Sequence, residues 1–272
     1  MRATASFLAG LAGVAAGLAA DVTGAVVAPL QVPAYTASSI ISAASALPDA
    51  IAPNTIISVY GEHLSAVTRA LSATDIRDGR MPSLLPQTGV RVLLDGVPAP
   101  LYFVSPRQIN VLAPPDLMPG RVTLQVTRDG AAGPEIKLKV EAAAPALFQA
   151  DETTPVAVAA DGALITGQRP ARAGEIVILF ATGLGPVMPT PSGGEIPRQA
   201  AWLCLPKRFT VLCGDAVLPA GDLLYAGLAP GFPGLYQINF RLPAAARGPR
   251  LSIRVGYDDR FSQEGLALPV GR

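Results

Sequence analysis

Hydrophobic and polar residues alternate with a period of two in several stretches of the chain. Over 122–126, 136–140 and 251–255, every second residue is Val, Leu or Ile, and the residues between them are polar or charged. This pattern predicts β-strands with one face on a core and the other face in water. About seven such strands per half, separated by Gly, Pro and Asp turns, predict a sandwich rather than a parallel α/β sheet. The best helical candidate, 64–76, predicts no more than a short helix or a loop.

The sequence contains an internal repeat, in which the same order of elements occurs twice. Four short segments recur in the same order at offsets of 119 to 129 residues, and the offset changes where the second copy carries an extra turn over 228–234. Insertions are tolerated in loops, because they disturb no ladder of hydrogen bonds. The sequence therefore predicts two domains of one fold. The aligned segments are 55–64 with 175–184, 91–94 with 210–213, 108–110 with 237–239, and 121–126 with 250–255.

The first 20 residues have the pattern of a secretory signal peptide. Arg2 precedes an uncharged stretch over 7–20 that is rich in Ala, Gly and Leu and ends at Asp21. This stretch is too short for a membrane span, and no later apolar run reaches spanning length. We therefore expect a secreted, periplasmic or cell-surface protein with no membrane span once the signal is removed.

The remaining chain divides into a leader and the two copies. Residues 21–49 are small, almost uncharged and interrupted by proline, which predicts an extended leader. Within it, 35–42 alternates enough to form a first edge strand. We place the first sandwich at 50–148 and the second at 149–272.

Composition narrows the function classes further. The chain carries 21 Lys+Arg against 20 Asp+Glu, so its formal net charge of +1 gives no electrostatic reason to expect nucleic acid as a partner. Half of the residues are hydrophobic, which excludes a disordered chain. The 27 prolines exclude a coiled coil, and two cysteines exclude a disulfide-dense scaffold.

Several motifs resemble known families. Each copy begins with an extended strand and a Gly-x-x-Leu or Thr-Gly-Leu-Gly turn, which resembles the IPT/TIG type of immunoglobulin-like domain. The chain from about Ile40 to Val270 also resembles the uncharacterised Solibacter-type C-terminal domain family of acidobacterial secreted proteins. This resemblance implies two tandem immunoglobulin-like β-sandwich domains in an exported setting, and it brings no catalytic residues. The segments that carry it are 52–61, 97–101, 105–110, 181–187 and 227–239.

Candidate catalytic and metal-binding residues are few. His63 is the only histidine, and no Gly-x-Ser-x-Gly segment supplies a nucleophile for it. One histidine and two cysteines in separate parts of the chain do not make a zinc site. The neighbouring acids 151–152 and 258–259 lack the spacing of a calcium loop, so we interpret them as turn residues. We therefore expect no catalytic residue, metal or cofactor. The glycines over 183–185 are interpreted as a turn at a strand end.

The two cysteines suggest a local cross-link. Cys204 and Cys213 flank a short loop, and export makes oxidation available. We hypothesise a disulfide between them; two buried thiols are the alternative.

Aromatic residues and amides are candidate ligand contacts. Trp202, Phe232, Tyr236, Tyr102 and Phe103 either form an aromatic platform for carbohydrate or lie mostly in the core. The Pro/Gly-flanked loop before Tyr236 makes Phe232 and Tyr236 candidates for a ligand-facing surface, with Phe232 seated under its own loop as the alternative. The amides of 108–110 and 237–239 are expected to bond neighbouring backbone.

Together these patterns predict a non-enzymatic, exported β-sandwich protein. The expected role is a structural, adhesion or recognition module at the cell envelope, with an unknown protein or polysaccharide as partner. A carbohydrate-binding module is the alternative, and a hydrolytic enzyme is a third possibility that the scarcity of catalytic residues disfavours.

Overall fold

The protein is built almost entirely from β-strands. The computed structural model describes residues 31–48, 50–246 and 248–271. The predicted signal peptide and residues 21–30 of the leader lie outside the described residues. Where helix was conceivable, over 64–76, the chain forms a two-residue strand and a single 3₁₀ turn at Ala73–Asp75. The other 3₁₀ turns are Ala37–Ser39, Pro206–Arg208 and Ala220–Asp222.

The first half forms two antiparallel sheets. One has the order β1-β2-β7-β6-β3, and the other has the order β10-β8-β4-β5 with β9 also on β8. The strands are β1 (Ile40–Ser42), β2 (Ile56–Tyr60), β3 (Arg69–Ala70), β4 (Val90–Leu94), β5 (Val97–Pro98), β6 (Leu101–Val104), β7 (Gln108–Leu112), β8 (Gly120–Arg128), β9 (Ala131–Ala132) and β10 (Ile136–Val140).

The second half repeats this arrangement with added strands. It begins before the predicted boundary at 148/149, because β11 (Ala146–Leu147) pairs with β15 and Ala143 and Leu147 lie in the second core. Its larger sheet has the order β11-β15-β21-β20-β17-β16 with β14 also on β15, and its other main sheet has the order β19-β18-β22-β23 with β24 also on β22. A small β12-β13 ribbon lies outside them. The strands are β11 (Ala146–Leu147), β12 (Gln149–Asp151), β13 (Thr154–Pro155), β14 (Ala157–Ala159), β15 (Ile176–Thr182), β16 (Val187–Met188), β17 (Ala201–Leu203), β18 (Phe209–Cys213), β19 (Ala216–Val217), β20 (Leu223–Leu228), β21 (Tyr236–Arg241), β22 (Arg250–Tyr257), β23 (Arg260–Phe261) and β24 (Ala267–Pro269).

The strand order identifies the sandwich type. An immunoglobulin domain places strands A, B, E and D in one sheet and G, F and C in the other. The first half matches this with β1-β2-β7-β6 and β10-β8-β4, and the second half matches it with β14-β15-β21-β20 and β24-β22-β18. The predicted all-β, immunoglobulin-like fold is therefore confirmed. Segments that align in the sequence occupy equivalent strands: β2 and β15, β4 and β18, β7 and β21, and β8 and β22.

Alternating side chains fill a core between the sheets of each half. Val122, Leu124 and Val126 on β8 are at most 3% exposed, whereas the polar residues between them are half-buried on the outer face. One buried cluster draws its residues from 35–140, and a second draws its residues from 143–270. The period-two pattern thus determines which face of each strand is buried.

The described part of the leader belongs to the first sandwich. Ile40–Ser42 pairs antiparallel with β2 at the edge of the sheet, as the alternation over 35–42 predicts. Tyr35 is buried in the core, where its hydroxyl donates to the backbone oxygen of Pro134 at 2.5 Å and accepts from the N–H of Val126 at 2.7 Å. The leader therefore contributes both an edge strand and a core residue.

Candidate functional site

The two residues proposed for a ligand-facing loop lie instead at the contact between the two halves. Tyr236 is fully buried; its hydroxyl donates to the backbone oxygen of Gly185, and Asn54 Nδ2 donates to that hydroxyl at 3.4 Å. Burial raises the pKa of Tyr236, so it remains a neutral hydrogen-bonding group. The prediction that Tyr236 faces a ligand is therefore wrong. Phe232 is half-buried against the contact, which agrees with the alternative that the loop seats it.

We call this contact the joint. It is a cluster of buried apolar side chains that is separate from both sandwich cores. Its residues lie on the outer faces of strands, among them β2, β7 and β15, and in the loops beside them. Burying such surface away from water stabilises the contact between the halves. The first half contributes Ala44, Ile56, Met81 and Leu112, and the second half contributes Ala146, Phe148, Val156, Val158, Phe180, Ala229 and Leu235.

A buried threonine connects the backbones of both halves. Thr182 Oγ1 accepts from the N–H of Ile56 at 2.8 Å and lies 2.9 Å from the backbone oxygen of Gly234, to which it donates. Thr182 has no exposed surface. Because an unpaired buried N–H is costly, this hydroxyl satisfies a group of β2 that the first half leaves open.

The extra turn of the second copy closes over the joint. The hydroxyl of Tyr102 in the first half donates to the backbone oxygen of Pro233 within the turn over 228–234. Gly234 has φ +70°, and a Cβ there would lie 2.5 Å from Leu112 Cδ1. Only glycine permits this backbone conformation and this approach together. The insertion noted in the sequence is thus a contact element between the halves.

The glycines of the Thr-Gly-Leu-Gly turn make room for the connection between halves. Gly183 and Gly185 both have positive φ, and a Cβ on either would clash with the backbone oxygens of Ala144 and Ala142, respectively. His63 occupies the position equivalent to Gly183 in the first half, also with positive φ (58°). The lone histidine is therefore a turn residue with a left-handed backbone conformation.

Polar side chains next to the connection between the halves add further contacts. Glu141 Oε1 lies 2.5 Å from Lys139 Nζ and 2.7 Å from the guanidinium of Arg260, so it links the end of β10 to the second half. The hydrogen bond from Lys139 and the nearby charges of both cations lower the pKa of Glu141. Gln263 bonds both backbone groups of Leu147, accepting at 3.1 Å and donating at 2.6 Å, as a neighbouring strand would.

Backbone hydrogen bonds also join the two halves directly. The N–H of Met81 donates to the oxygen of Gly194 at 2.8 Å, and the N–H of Ile196 donates to the oxygen of Gly79 at 2.9 Å. These bonds link a turn of the first half to a loop of the second half. Together with the Thr182 contacts, they fix the orientation of the two sandwiches relative to each other.

The predicted disulfide is not formed in the structure, where both cysteines are free thiols. Cys213 lies on the inward face of β18 in the core of the second half, and Cys204 is exposed after β17. Burial raises the pKa of the Cys213 thiol to about 11, which makes it a poor nucleophile at neutral pH. The short sequence spacing does not reveal that the two side chains occupy different environments.

Of the five aromatic residues considered as a platform, Trp202 is the exposed one. Its side chain is 51% exposed and meets the buried ring of Tyr225 edge to face, with centroids 4.6 Å apart. Met188, directly opposite on β16, is 63% exposed. Tyr102 packs against the joint, and Phe103 is buried. Tyr236 lies in the core of the second half, and its hydroxyl reaches Asn54 of the first half. The surface that remains is a Trp–Met pair at the edge of a sheet.

The acidic pairs behave as turn residues. The Oδ1 of Asp151 accepts from the N–H of Thr153 at 2.9 Å, and Asp258 forms an ion pair with Arg208. Among the described residues, no three His, Cys, Asp or Glu side chains are grouped as a metal site would require. No described helix is long and apolar enough to cross a bilayer.

The repeated Gln-Ile-Asn amides make different bonds from those expected. Gln108 Nε2 donates to Asn110 Oδ1 at 3.0 Å, and Gln237 Nε2 donates to Asn239 Oδ1 at 2.8 Å. Ser58 also donates to Asn110 Oδ1. These side chains bond one another on the outer face of the sheet rather than the backbone.

Comparison with known proteins leaves the family open. No protein-family model matches the chain, and no curated protein matches it. Among solved structures, it is similar to the plexin A4 extracellular region (12% identity, TM-score 0.25, 81% of this chain and 17% of that chain). It is also similar to domains 5–6 of the S-layer protein SbsC (9% identity, TM-score 0.26, 88% and 98% covered). A third is Bacteroides ovatus SGBP-B in complex with a mixed-linkage heptasaccharide (13% identity, TM-score 0.22, 69% and 39% covered). The chain spans about a sixth of the plexin structures, and likenesses at these TM-scores carry no functional argument.

Proposed function

We propose that the protein is an exported, non-enzymatic module that presents two immunoglobulin-like sandwiches in one fixed relation at the cell envelope. The observation that supports this role is the joint, where Thr182 and Ile56 link the halves through a buried hydrogen bond of 2.8 Å. In a flexible tandem the surfaces of the joint would be exposed to water. Here the apolar side chains of both halves bury one another. A rigid pair suits a structural, adhesion or recognition role, because binding loops work best on a fixed scaffold. The resemblance to Solibacter-type exported proteins remains part of this proposal.

Fractionation and binding to envelopes test the proposal together. The full chain, expressed with its N-terminal segment, is expected outside the cytoplasm with its mature N-terminus near Asp21, and the purified protein is expected to sediment saturably with washed envelopes of the producing cells. Retention in the cytoplasm would contradict it. So would a hydrolase screen that finds an activity abolished by substitution of an Asp or Glu.

Carbohydrate binding is a second candidate, supported by the exposed Trp202. An indole ring lying on a sheet edge offers a flat apolar face, and Tyr225 beneath fixes its orientation. We expect the protein to be retained on an insoluble β-glucan and the Trp202→Ala variant to be released. Phe261→Ala, which removes another exposed aromatic residue, is the matched control. Equal retention of all three proteins, or of none, would exclude Trp202 as a sugar platform.

A further inference from the structure

An open groove lies at the end of the first half that faces away from the joint. It has a volume of about 600 Å³ and is formed by the segment 32–36 together with Ser39, Tyr60, Glu62 and Pro134. Val32 is 51% exposed and Tyr60 is 41% exposed. We call this surface the free groove.

The free groove is the first-half equivalent of the second-half surface that takes part in the joint. Ala34 forms an antiparallel bridge with Glu62, just as Ala146 does with Thr182. The register of β1 on β2 matches that of β14 on β15, so the flanking positions correspond as well. Ala34, Thr36, Ser39, Tyr60 and Glu62 of the groove thus correspond to Ala146, Phe148, Val156, Phe180 and Thr182 of the joint.

The second half likewise has a surface equivalent to the first-half surface that takes part in the joint. Ile176 faces Arg241 across β15 and β21, as Ile56 faces Leu112 across β2 and β7. Leu224 lies at the register shift of β20, where Tyr102 lies on β6. We call Ile176, Leu224 and Arg241 the free end; Leu224 and Arg241 are exposed, and Ile176 is half-buried.

Charges on the two free surfaces complement each other. In the joint, Thr182 lies beside Ile56, whose cross-strand neighbour is Leu112. At the equivalent positions the free groove has Glu62, and the free end has Ile176 with Arg241 as its cross-strand neighbour in place of Leu112. Arg241 is 51% exposed and donates to the backbone oxygen of Gly174 at 3.3 Å, which holds its guanidinium at the free end. Its nearest carboxylate, Asp222, is 3.9 Å away. Glu62 is exposed and has no ion-pair partner among the described residues.

We propose that a second copy of this chain docks head to tail, with its free end in the free groove, in the relation that the joint already uses within one chain. Glu62 of one copy pairs with Arg241 of the next, and Ile176 and Leu224 cover Tyr60 and Val32. A head-to-tail contact does not close on itself, so the copies form open chains rather than a dimer. Because Thr36 and Ser39 replace Phe148 and Val156, and the first half has no counterpart of the 228–234 turn, this contact is weaker than the joint.

Sedimentation velocity of the purified mature protein, over a range of concentration and salt, tests the proposal. We expect species beyond the dimer that grow with concentration and dissociate with added salt. Glu62→Arg and Arg241→Glu, each alone, should raise the dissociation constant about tenfold, because each places like charges together. Glu152→Arg and Arg121→Glu reverse exposed charges elsewhere and should leave it unchanged.

Mixing the two single variants separates this contact from non-specific association. The arginine introduced at position 62 of one variant then meets the glutamate introduced at position 241 of the other, so the mixture and the double variant should both regain association. A monomer at every concentration, a closed dimer, or reversals without effect would overturn the proposal. Circular dichroism confirms that each variant is folded. Failure of the copies to associate would leave the proposed two-sandwich module intact, since that role rests on the joint within one chain.

Discussion

The hydroxyl of Thr182 accepts a hydrogen bond from the backbone N–H of Ile56, 126 residues earlier in the chain, at 2.8 Å. One side chain of the second sandwich thereby completes the hydrogen bonding of the first residue of β2 in the first sandwich. Because both residues are at most 1% exposed, water cannot substitute for either partner.

Replacing Thr182 with Val should destabilise the protein by about 1–3 kcal/mol, because the buried N–H of Ile56 then has no acceptor. The two side chains have nearly the same shape, so the loss reports the hydroxyl. Equilibrium unfolding in urea measures it. Thr210→Val, on the half-buried outer face of β18, is the control and should change stability by less than about 0.5 kcal/mol. Equal effects at both positions would show that the joint does not depend on this bond.

Gly234→Ala should destabilise the protein more than Gly231→Ala. Both glycines have positive φ (70° and 86°), so both variants carry the same backbone strain. At Gly234 the added methyl also meets Leu112, whereas at Gly231 it meets open space. We expect a difference of about 1–3 kcal/mol from overpacking, measured by thermal and urea unfolding. Similar losses for both variants would contradict the close approach of the halves at Gly234.

The pH dependence of stability should contain a contribution from Glu141. Its pKa is lowered in the folded state by the hydrogen bond from Lys139 and by the charge of Arg260. A depressed folded pKa contributes stability above the unfolded pKa, and that contribution is lost as pH falls below about 4.5 towards the folded value. Glu141→Gln should therefore flatten the acid limb of the stability curve, and salt should reduce the difference. Parallel stability curves for the variant and the parent would show that Glu141 does not contribute to the pH dependence of stability.

Thiol titration distinguishes the free cysteines from a disulfide. In the unreduced native protein, Ellman's reagent should react with the exposed Cys204 quickly and with the buried Cys213 slowly. In unreduced denatured protein, both thiols should react. Absence of reactive thiols in the unreduced denatured chain would instead establish the bridge that the sequence suggested.

The strands were predictable from the sequence because each carries its own pattern. The alternation over 122–126 places Val122, Leu124 and Val126 inward whatever surrounds the strand, and it is confirmed in β8. The repeated order of segments likewise corresponds to equivalent strand pairings in the two halves. Strand alternation depends on residues that are close in sequence, so it can be recognised from the sequence alone.

The joint was not predictable, because its residues look the same whether a neighbour covers them or not. Tyr236 follows a Pro/Gly loop, and such a loop can face solvent or a second sandwich. Cys204 and Cys213 are close in sequence, but the spacing does not show that one faces the core and the other faces solvent. The best available signal was the extra turn over 228–234, since an insertion present in one copy alone marks a place where the copies differ in their contacts.

Hydrogen exchange with mass detection, in urea below the unfolding midpoint, tests the coupling of the two sandwiches most directly. Peptides that contain β7 of the first half and β21 of the second half should lose protection with the same dependence on urea, because the joint makes their opening one event. In Gly234→Ala the two peptides should separate, while in Gly231→Ala they should remain together. Independent opening of β7 and β21 in the parent protein would contradict the joint as the feature that holds the two sandwiches together.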